Sequence, residues 1–207
     1  MSPALFALLF ACSRPAPQSE PARYPWDIEL LDDGSTLALG LTPGRSTFTD
    51  AIDRFGNSLE VAMFESGEDR SLEIYYSKAS LGGLVGRLIL ILDAPPEVLA
   101  DIALRSEREP TGAGTGVWRY ALPTATEPSL PPLTVKAMTF APAASLTEET
   151  LTARFGPPEQ RLTTEDSVIL LYPSRGVRIT APARGRELIE YVHPDDFAWL
   201  QAHQQTH

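Results

Sequence analysis

Two copies of the triplet Arg-Phe-Gly, at residues 54–56 and 154–156, each end a short segment with the pattern of an amphipathic helix. In the first segment the apolar residues are spaced i, i+3, i+4 and i+7, as expected for one helix face, and they are Phe48, Ala51, Ile52 and Phe55. We expect Gly56 to end this helix in a left-handed conformation.

The second segment carries equivalent signals. Thr147 is placed to cap a helix, and Leu146 and Leu151 stand on either side of that cap, where they can form a hydrophobic staple. Gly156-Pro157-Pro158 is expected to end the helix, because proline cannot donate the backbone hydrogen bond that a continuing helix needs.

The order of the elements that follow is also repeated. Each helix precedes three strand-like segments and then a proline that is well placed to begin a second helix. The strands and the closing helix are predicted at 59–64, 72–76, 87–92 and 95–105 in the first copy, and at 159–162, 168–172, 186–192 and 194–200 in the second. This repetition predicts an α+β fold of two tandem helix–three-strand–helix units, with antiparallel sheets packed on short helices.

The chain accordingly divides into five parts. We predict a signal peptide at 1–11, a proline-rich tether at 12–25, a first α+β repeat at 26–122, a linker with four prolines at 123–132 and a second repeat at 133–207. A hairpin over 26–41 and further strands at 117–122 and 133–140 complete the two repeats.

The first residues indicate a lipid anchor. The apolar run Leu5–Ala11 is too short to span a bilayer but suits the core of a signal peptide. The stretch 9–12, Leu-Phe-Ala-Cys, resembles a bacterial lipobox, which implies that Cys12 is the site of lipid attachment, including palmitate. Phe10 and the absence of Lys or Arg from residues 1–4 depart from that pattern. An early or misassigned start codon, or a truncated leader, would explain the missing charge. The alternative is a small buried cysteine at the end of a first helix.

The stretch 13–23 is rich in Pro, Ser and Ala, which favours an extended tether over a packed element. By resemblance to lipoproteins, Ser13 after the cysteine fits retention at the outer membrane. Cys12 is the single cysteine, so no disulfide is available. We therefore expect an outer-membrane lipoprotein that faces the periplasm and touches the membrane through its anchor only.

Charge excludes one class of partner. The 207 residues carry a formal net charge of −10, and binding of nucleic acid or of an anionic membrane surface needs concentrated Lys and Arg. The predicted lipid anchor favours unidentified envelope proteins as partners. Strand alternation suggests where they bind: if the helices cover the face of Tyr76 and Tyr172, then Tyr75, Ile169 and Leu171 lie on the other face. That face is either core between two sheets or a protein-binding surface.

The sequence contains little that predicts catalysis. His203 and His207 have the i, i+4 spacing of a metal pair on a helix, and His193, Asp195 and Asp196 are not far away in sequence. The favoured interpretation is a frayed polar tail that binds no metal. The glycine-rich stretch 111–116 precedes a strand and so lacks the helix that a phosphate loop requires. Glu148 and Glu149 lie in the first turn of a helix, where carboxylates are stabilising. We expect no enzyme activity, cofactor, metal or small-molecule substrate.

The pattern of a polar lead with a glycine, a short helix that ends in Phe-Gly, and a tyrosine on the second of the strands that follow resembles the small lipoprotein module of the SmpA/OmlA family. That family includes the BamE subunit of the outer-membrane barrel-assembly machine. The matching residues are Gly44, Phe55, Gly56 and Tyr76 in the first copy and Phe155, Gly156, Pro157 and Tyr172 in the second. BamE-like lipoproteins usually carry one module, whereas tandem modules look more like β-lactamase-inhibitory proteins, which bind enzymes.

The resemblance implies protein binding by a sheet surface. The leading hypothesis is a lipid-anchored binding or assembly module of the Gram-negative envelope. The alternatives are a proteinaceous inhibitor of a periplasmic or secreted hydrolase and, from a different class, an enzyme of unknown type.

Overall fold

The structure is a computed structural model that describes residues 24–112, 114–122, 130 and 132–203. Cys12, most of the predicted linker and His207 lie outside these residues. The fold is mainly β, with 43% strand and 22% helix.

The described residues form four α-helices and twelve strands. The helices are α1 (Phe48–Phe55), α2 (Pro96–Arg105), α3 (Glu148–Phe155) and α4 (Phe197–Ala202). The strands are β1 (Glu29–Leu30), β2 (Thr36–Leu37), β3 (Glu60–Ser66), β4 (Asp69–Leu81), β5 (Leu84–Leu92), β6 (Arg108–Pro110), β7 (Val117–Ala121), β8 (Val135–Pro142), β9 (Gln160–Thr163), β10 (Ser167–Tyr172), β11 (Val177–Pro182) and β12 (Leu188–Val192).

Ten strands form one antiparallel sheet in the order β6-β7-β3-β4-β5-β8-β12-β11-β10-β9, while β1 and β2 pair separately. The two predicted repeats therefore share a sheet, joined where β8 pairs with both β5 and β12. The predicted α+β tandem of helix–three-strand–helix units is wrong. Local patterns locate most strands but miss β6 and β11. The pairing of β5 with β8 depends on contacts between distant parts of the chain.

The two closing helices lie on opposite faces of the sheet, which also contradicts a repeated unit. We call the face that carries Tyr76 and Tyr172 the inner face and the opposite face the outer face. Ile102 of α2 belongs to the main core on the inner face, whereas Phe197 and Leu200 of α4 belong to a separate small cluster. Adjacent residues of β5 show the division, since Leu90 lies in the main core and Ile91 in the small cluster.

Helices α1 and α3 cover the inner face. Phe55 contacts Tyr76 and Phe155 contacts Tyr172, with ring centroids 5.6 and 6.1 Å apart. The Tyr76 hydroxyl donates to the Ala51 carbonyl at 3.3 Å, and the Tyr172 hydroxyl donates to the Gly156 carbonyl at 3.0 Å. Burial and hydrogen bonding to these carbonyls explain why tyrosine recurs after each Arg-Phe-Gly triplet. The repeated motif thus serves the core.

The predicted helix ends are largely confirmed. The Thr147 hydroxyl accepts a hydrogen bond from the Thr150 backbone N–H, and Thr47 forms a reciprocal capping box with Asp50 at the start of α1. Bonds from Thr47 hold the pKa of the exposed Asp50 carboxyl below its usual value. Gly56 and Gly156 end their helices at positive φ, but their ψ is near 180° rather than left-handed helical.

The predicted return strand over 36–41 is interrupted. Ala38 and Leu41 exchange two backbone hydrogen bonds of 2.9 Å, which closes a tight turn over Leu39 and Gly40. Both of these residues have positive φ, so the chain reverses before a longer strand forms. Arg54 reaches the turn and donates from Nε to the Leu39 carbonyl at 3.1 Å.

Candidate protein-binding face

The three residues predicted to form a binding face all lie on the outer face of the sheet. Tyr75 and Leu171 belong to one row of cross-strand neighbours, Glu60–Tyr75–Ile89–Thr139–Glu190–Arg178–Leu171. Cross-strand neighbours project to the same side, and Ile169 shares that side because it is two residues from Leu171. Five strand spacings separate Tyr75 from Leu171, about 24 Å at ~4.8 Å per strand.

Helix α4 covers the part of this face that contains Leu171. Phe197 and Leu200 pack against four outer-face side chains, which are Ile91, Ala137, Leu171 and Val192. Ile169 and Trp199 border this cluster and are partly buried. Leu171 is only 1% exposed, so its assignment to a binding surface does not fit the structure. Side-chain alternation predicts the face of Leu171 correctly. It does not show that the closing helix predicted at 194–200 packs on that face.

A buried ion pair fixes α4 to the sheet. Arg178 donates to both carboxylate oxygens of Glu190 at 2.5 and 2.7 Å. The same guanidinium donates to the carbonyls of Leu200 and His203 at 2.5 and 3.1 Å, at the end of α4. The last carbonyls of a helix have no partner within the helix, so Arg178 satisfies them while Glu190 neutralises its charge.

Away from α4, the outer face holds Tyr75 in a depression of about 330 Å³. We call this the Tyr75 depression. Its apolar lining is Ala62, Phe64, Tyr75, Ile89, Ala141 and Leu188, and its polar lining is Glu60, Glu73, Arg87, Arg119 and Thr139. Tyr75 and Ile89 are partly exposed among the described residues. An apolar centre within a charged border is the usual arrangement of a protein–protein interface.

Most charges of the Tyr75 depression already have partners. Arg119 donates to the Glu60 carboxylate at 3.3 Å, and Glu73, 6% exposed, accepts a hydrogen bond from the Ser71 hydroxyl at 2.6 Å. Arg87 is exposed, and no described carboxylate lies within ion-pairing distance of it. The charges of the two arginines and two glutamates in the depression cancel, although the whole chain has a formal net charge of −10. The excess acidic charge therefore lies on other surfaces.

A groove of about 610 Å³ continues from the depression along α4, and Phe64 and Glu73 line both. The Lys136 ammonium lies 4.5 Å from the centre of the Trp199 ring, and His203 stacks on the same indole with centroids 4.5 Å apart. These contacts hold the Trp199 indole at the groove wall, where Lys136 and His203 both pack against it.

The residues considered for catalysis or metal binding have structural roles or lie apart. His193 accepts a hydrogen bond from the Asp195 N–H, and His203 packs on Trp199. Glu148 binds Arg161 with hydrogen bonds of 2.7 and 3.1 Å, which hold the pKa of its carboxyl below the ordinary value. Among residues 24–203, where described, no group of three His, Cys, Asp or Glu side chains is placed to hold a metal.

No protein-family model matches the sequence, and neither the curated proteins nor the solved structures yield a match. The resemblance to BamE-like modules therefore remains a prediction from the quoted residues alone. None of the helices in the described part of the chain has the length and apolar character needed to cross a bilayer.

The sequence contained a signal for the residues that were missed. Several mostly apolar strand segments each contain a charged residue, and these residues are Glu73, Arg87, Arg178 and Glu190. Such charges must be paired or must face solvent. Which pairs form depends on strand register, and the sequence alone did not establish that β11 lies beside β12.

Proposed function

We propose that this chain is a lipid-anchored protein-binding or assembly module of the bacterial envelope, and that it binds its partner at the Tyr75 depression. One observation carries the binding proposal: helix α4 covers Leu171 and its neighbours on the outer face, whereas the surface around Tyr75 remains open, with an apolar centre and a charged border. The inner face supports this choice of side, since α1, α2 and α3 all contribute to its core.

Binding is a better account of this surface than catalysis. The lining of the depression includes no histidine, cysteine or serine, and its most buried carboxylate, Glu73, is held by the Ser71 hydroxyl. A reactive site brings a nucleophile, a base and a charge stabiliser together. The Tyr75 depression instead combines an aromatic ring, aliphatic side chains and arginines, the residue types that anchor protein interfaces.

The membrane anchor is proposed from the lipobox-like stretch 9–12, with Cys12 as the attachment site and the outer membrane as the location.

The path of the first described residues also leaves the outer face open. The Tyr191 hydroxyl, in the inner-face core, donates to the Pro25 carbonyl at 2.7 Å, and Trp26 packs edge-on against Phe155. The chain thus enters the fold on the inner side, opposite the proposed binding face.

A photocrosslinking amino acid at position 75 is expected to capture one envelope protein in living cells. We suggest p-benzoylphenylalanine, which keeps an aromatic ring at the centre of the depression. The matched control places the same residue at Leu104, which is 86% exposed on α2. Adducts at both positions, or at neither, would contradict binding at Tyr75. A single soluble hydrolase as the adduct would identify an inhibitor instead of an assembly module.

Lipid attachment is tested separately. Cells fed an alkyne analogue of palmitate should label the wild-type chain and should not label Cys12→Ala. The wild-type chain should sediment with outer membranes, and the variant should lose that association because one covalent anchor supplies the membrane affinity. Equal labelling of the two proteins would exclude Cys12 as the attachment site, while leaving the binding face to the crosslinking experiment.

A further inference from the structure

Arg87 is the cation of the Tyr75 depression that has no described ion-pair partner. It lies on β5, exposed, two residues from Ile89 on the same face, while Arg119 is paired with Glu60 across the depression. An exposed arginine beside an apolar surface can bind a carboxylate through two parallel hydrogen bonds. The depression thus offers one available cation next to a site for an apolar side chain.

The size of the depression favours side chains over a separate ligand. Its volume of about 330 Å³ is at the lower limit of small-molecule pockets, and it opens directly on a sheet surface. One or two large apolar side chains would contact Tyr75, Ile89 and Leu188 and fill the depression. The folded chain itself shows such an occupant, since α4 applies Phe197 and Leu200 to the same face.

The charges restrict the occupant further. The lining contains Glu60 and Glu73 as well as the two arginines, so a polyanion would meet repulsion both here and from the net charge of −10. A single carboxylate beside the apolar anchor would pair with Arg87 and would add only one negative charge to the depression. An occupant with a lysine or arginine at that position would place like charges together.

We propose that the partner presents to the Tyr75 depression a peptide segment with a large apolar anchor residue and a neighbouring Asp or Glu, and that Arg87 binds this carboxylate. The inference rests on the proposed function, because it specifies the partner of the same surface. The apolar contact supplies most of the affinity, and Arg87 supplies the discrimination between acidic and basic segments.

Selection of random twelve-residue phage-displayed peptides on the full chain carrying Cys12→Ser tests the proposal. We expect the selected peptides to share a large apolar residue with Asp or Glu within three positions. Binding of a synthetic selected peptide should weaken roughly tenfold with Arg87→Glu, which converts a partly exposed attraction into a repulsion. Arg87→Lys should retain most of the affinity, and Tyr75→Ala should remove it.

A charge exchange makes the result specific. A peptide whose acidic residue is replaced by Lys should bind Arg87→Glu better than it binds the wild type. Arg105→Glu, on α2 and away from this face, is the matched control and should leave binding unchanged.

Peptides that need Tyr75 but ignore Arg87→Glu would overturn the acidic partner and leave the binding face intact. Selection of no peptide, or of peptides indifferent to Tyr75→Ala, would overturn this inference, and the crosslink at position 75 would then decide the proposed function alone. Self-association of the chain that Tyr75→Ala abolishes would identify a second copy as the occupant and would also overturn the inference.

Discussion

Gly176→Ala is expected to destabilise the fold by at least about 3 kcal/mol, because it combines an unfavourable backbone conformation with a clash. Gly176 has φ +64° and ψ +34°, the left-handed helical conformation. A Cβ at this position would overlap the Val192 carbonyl oxygen and lie 3.2 Å from the Pro194 nitrogen. These are backbone atoms of β12 and of the turn before α4, so no rotamer change can relieve the contact. Urea unfolding measures the change.

Gly67→Ala separates the two effects. Gly67 has φ +63°, and no atom lies within 4 Å of the position that an alanine methyl group would occupy there. This substitution should therefore show only the conformational penalty of about 1–2 kcal/mol. Equal losses for the two variants would mean that β12 and the turn at Pro194 move away at little cost, and the tight approach at Gly176 would not be a constraint on the fold.

The second large effect is expected at Glu190, where replacement by alanine leaves the Arg178 guanidinium charged and unpaired beneath α4. Glu190 is 2% exposed, and breaking a buried pair on one side typically costs about 3–5 kcal/mol. The loss should be concentrated in α4, because Arg178 also binds the carbonyls of Leu200 and His203. Unfolding by urea gives the total, and amide exchange in α4 locates it.

Two controls make this interpretation specific. The double variant Arg178→Met/Glu190→Leu removes both charges and should be less destabilised than Glu190→Ala, since no unpaired ion remains. Glu148→Gln breaks the exposed ion pair with Arg161 and should have a far smaller effect, because solvent screens that pair. A double variant as unstable as the single one would show that the bonds to the α4 carbonyls, and not charge pairing, hold the helix.

These two sites converge on one corner of the molecule. Gly176 lets the chain approach β12 closely before β11 begins, and Arg178, two residues later, reaches Glu190 and the end of α4. The position of α4 on the outer face thus depends on contacts that span β11, β12 and the chain end. That position leaves Leu171 covered and the surface around Tyr75 open.

Local physical chemistry accounts for the parts that were predicted correctly. Thr147 caps α3 because its hydroxyl can satisfy a free N–H of the first turn, and Pro96 begins α2 because it needs no hydrogen-bond donor there. Gly56 ends α1 because glycine tolerates positive φ. Each of these effects acts within four residues, so the sequence contains everything needed to infer it.

The parts predicted wrongly depend on longer distances. The stretch that forms β11 lies between two predicted strands, follows Pro173 and Gly176 and ends at Pro182, and its local pattern predicted no element there. Pairing with β10 and β12 makes it a strand. The pairing of β5 with β8 unites the two predicted repeats in one sheet, and it joins segments about 50 residues apart in sequence.

By itself, the sequence determined where helices begin and end and which residues share a strand face, because capping, glycine conformation and side-chain alternation are local. Only the tertiary structure decided that one sheet spans the molecule, that α2 and α4 lie on opposite faces, and that Tyr75 is open while Leu171 is buried. Strand edges and apolar faces are satisfied by whichever distant element reaches them, and short-range patterns do not specify that element.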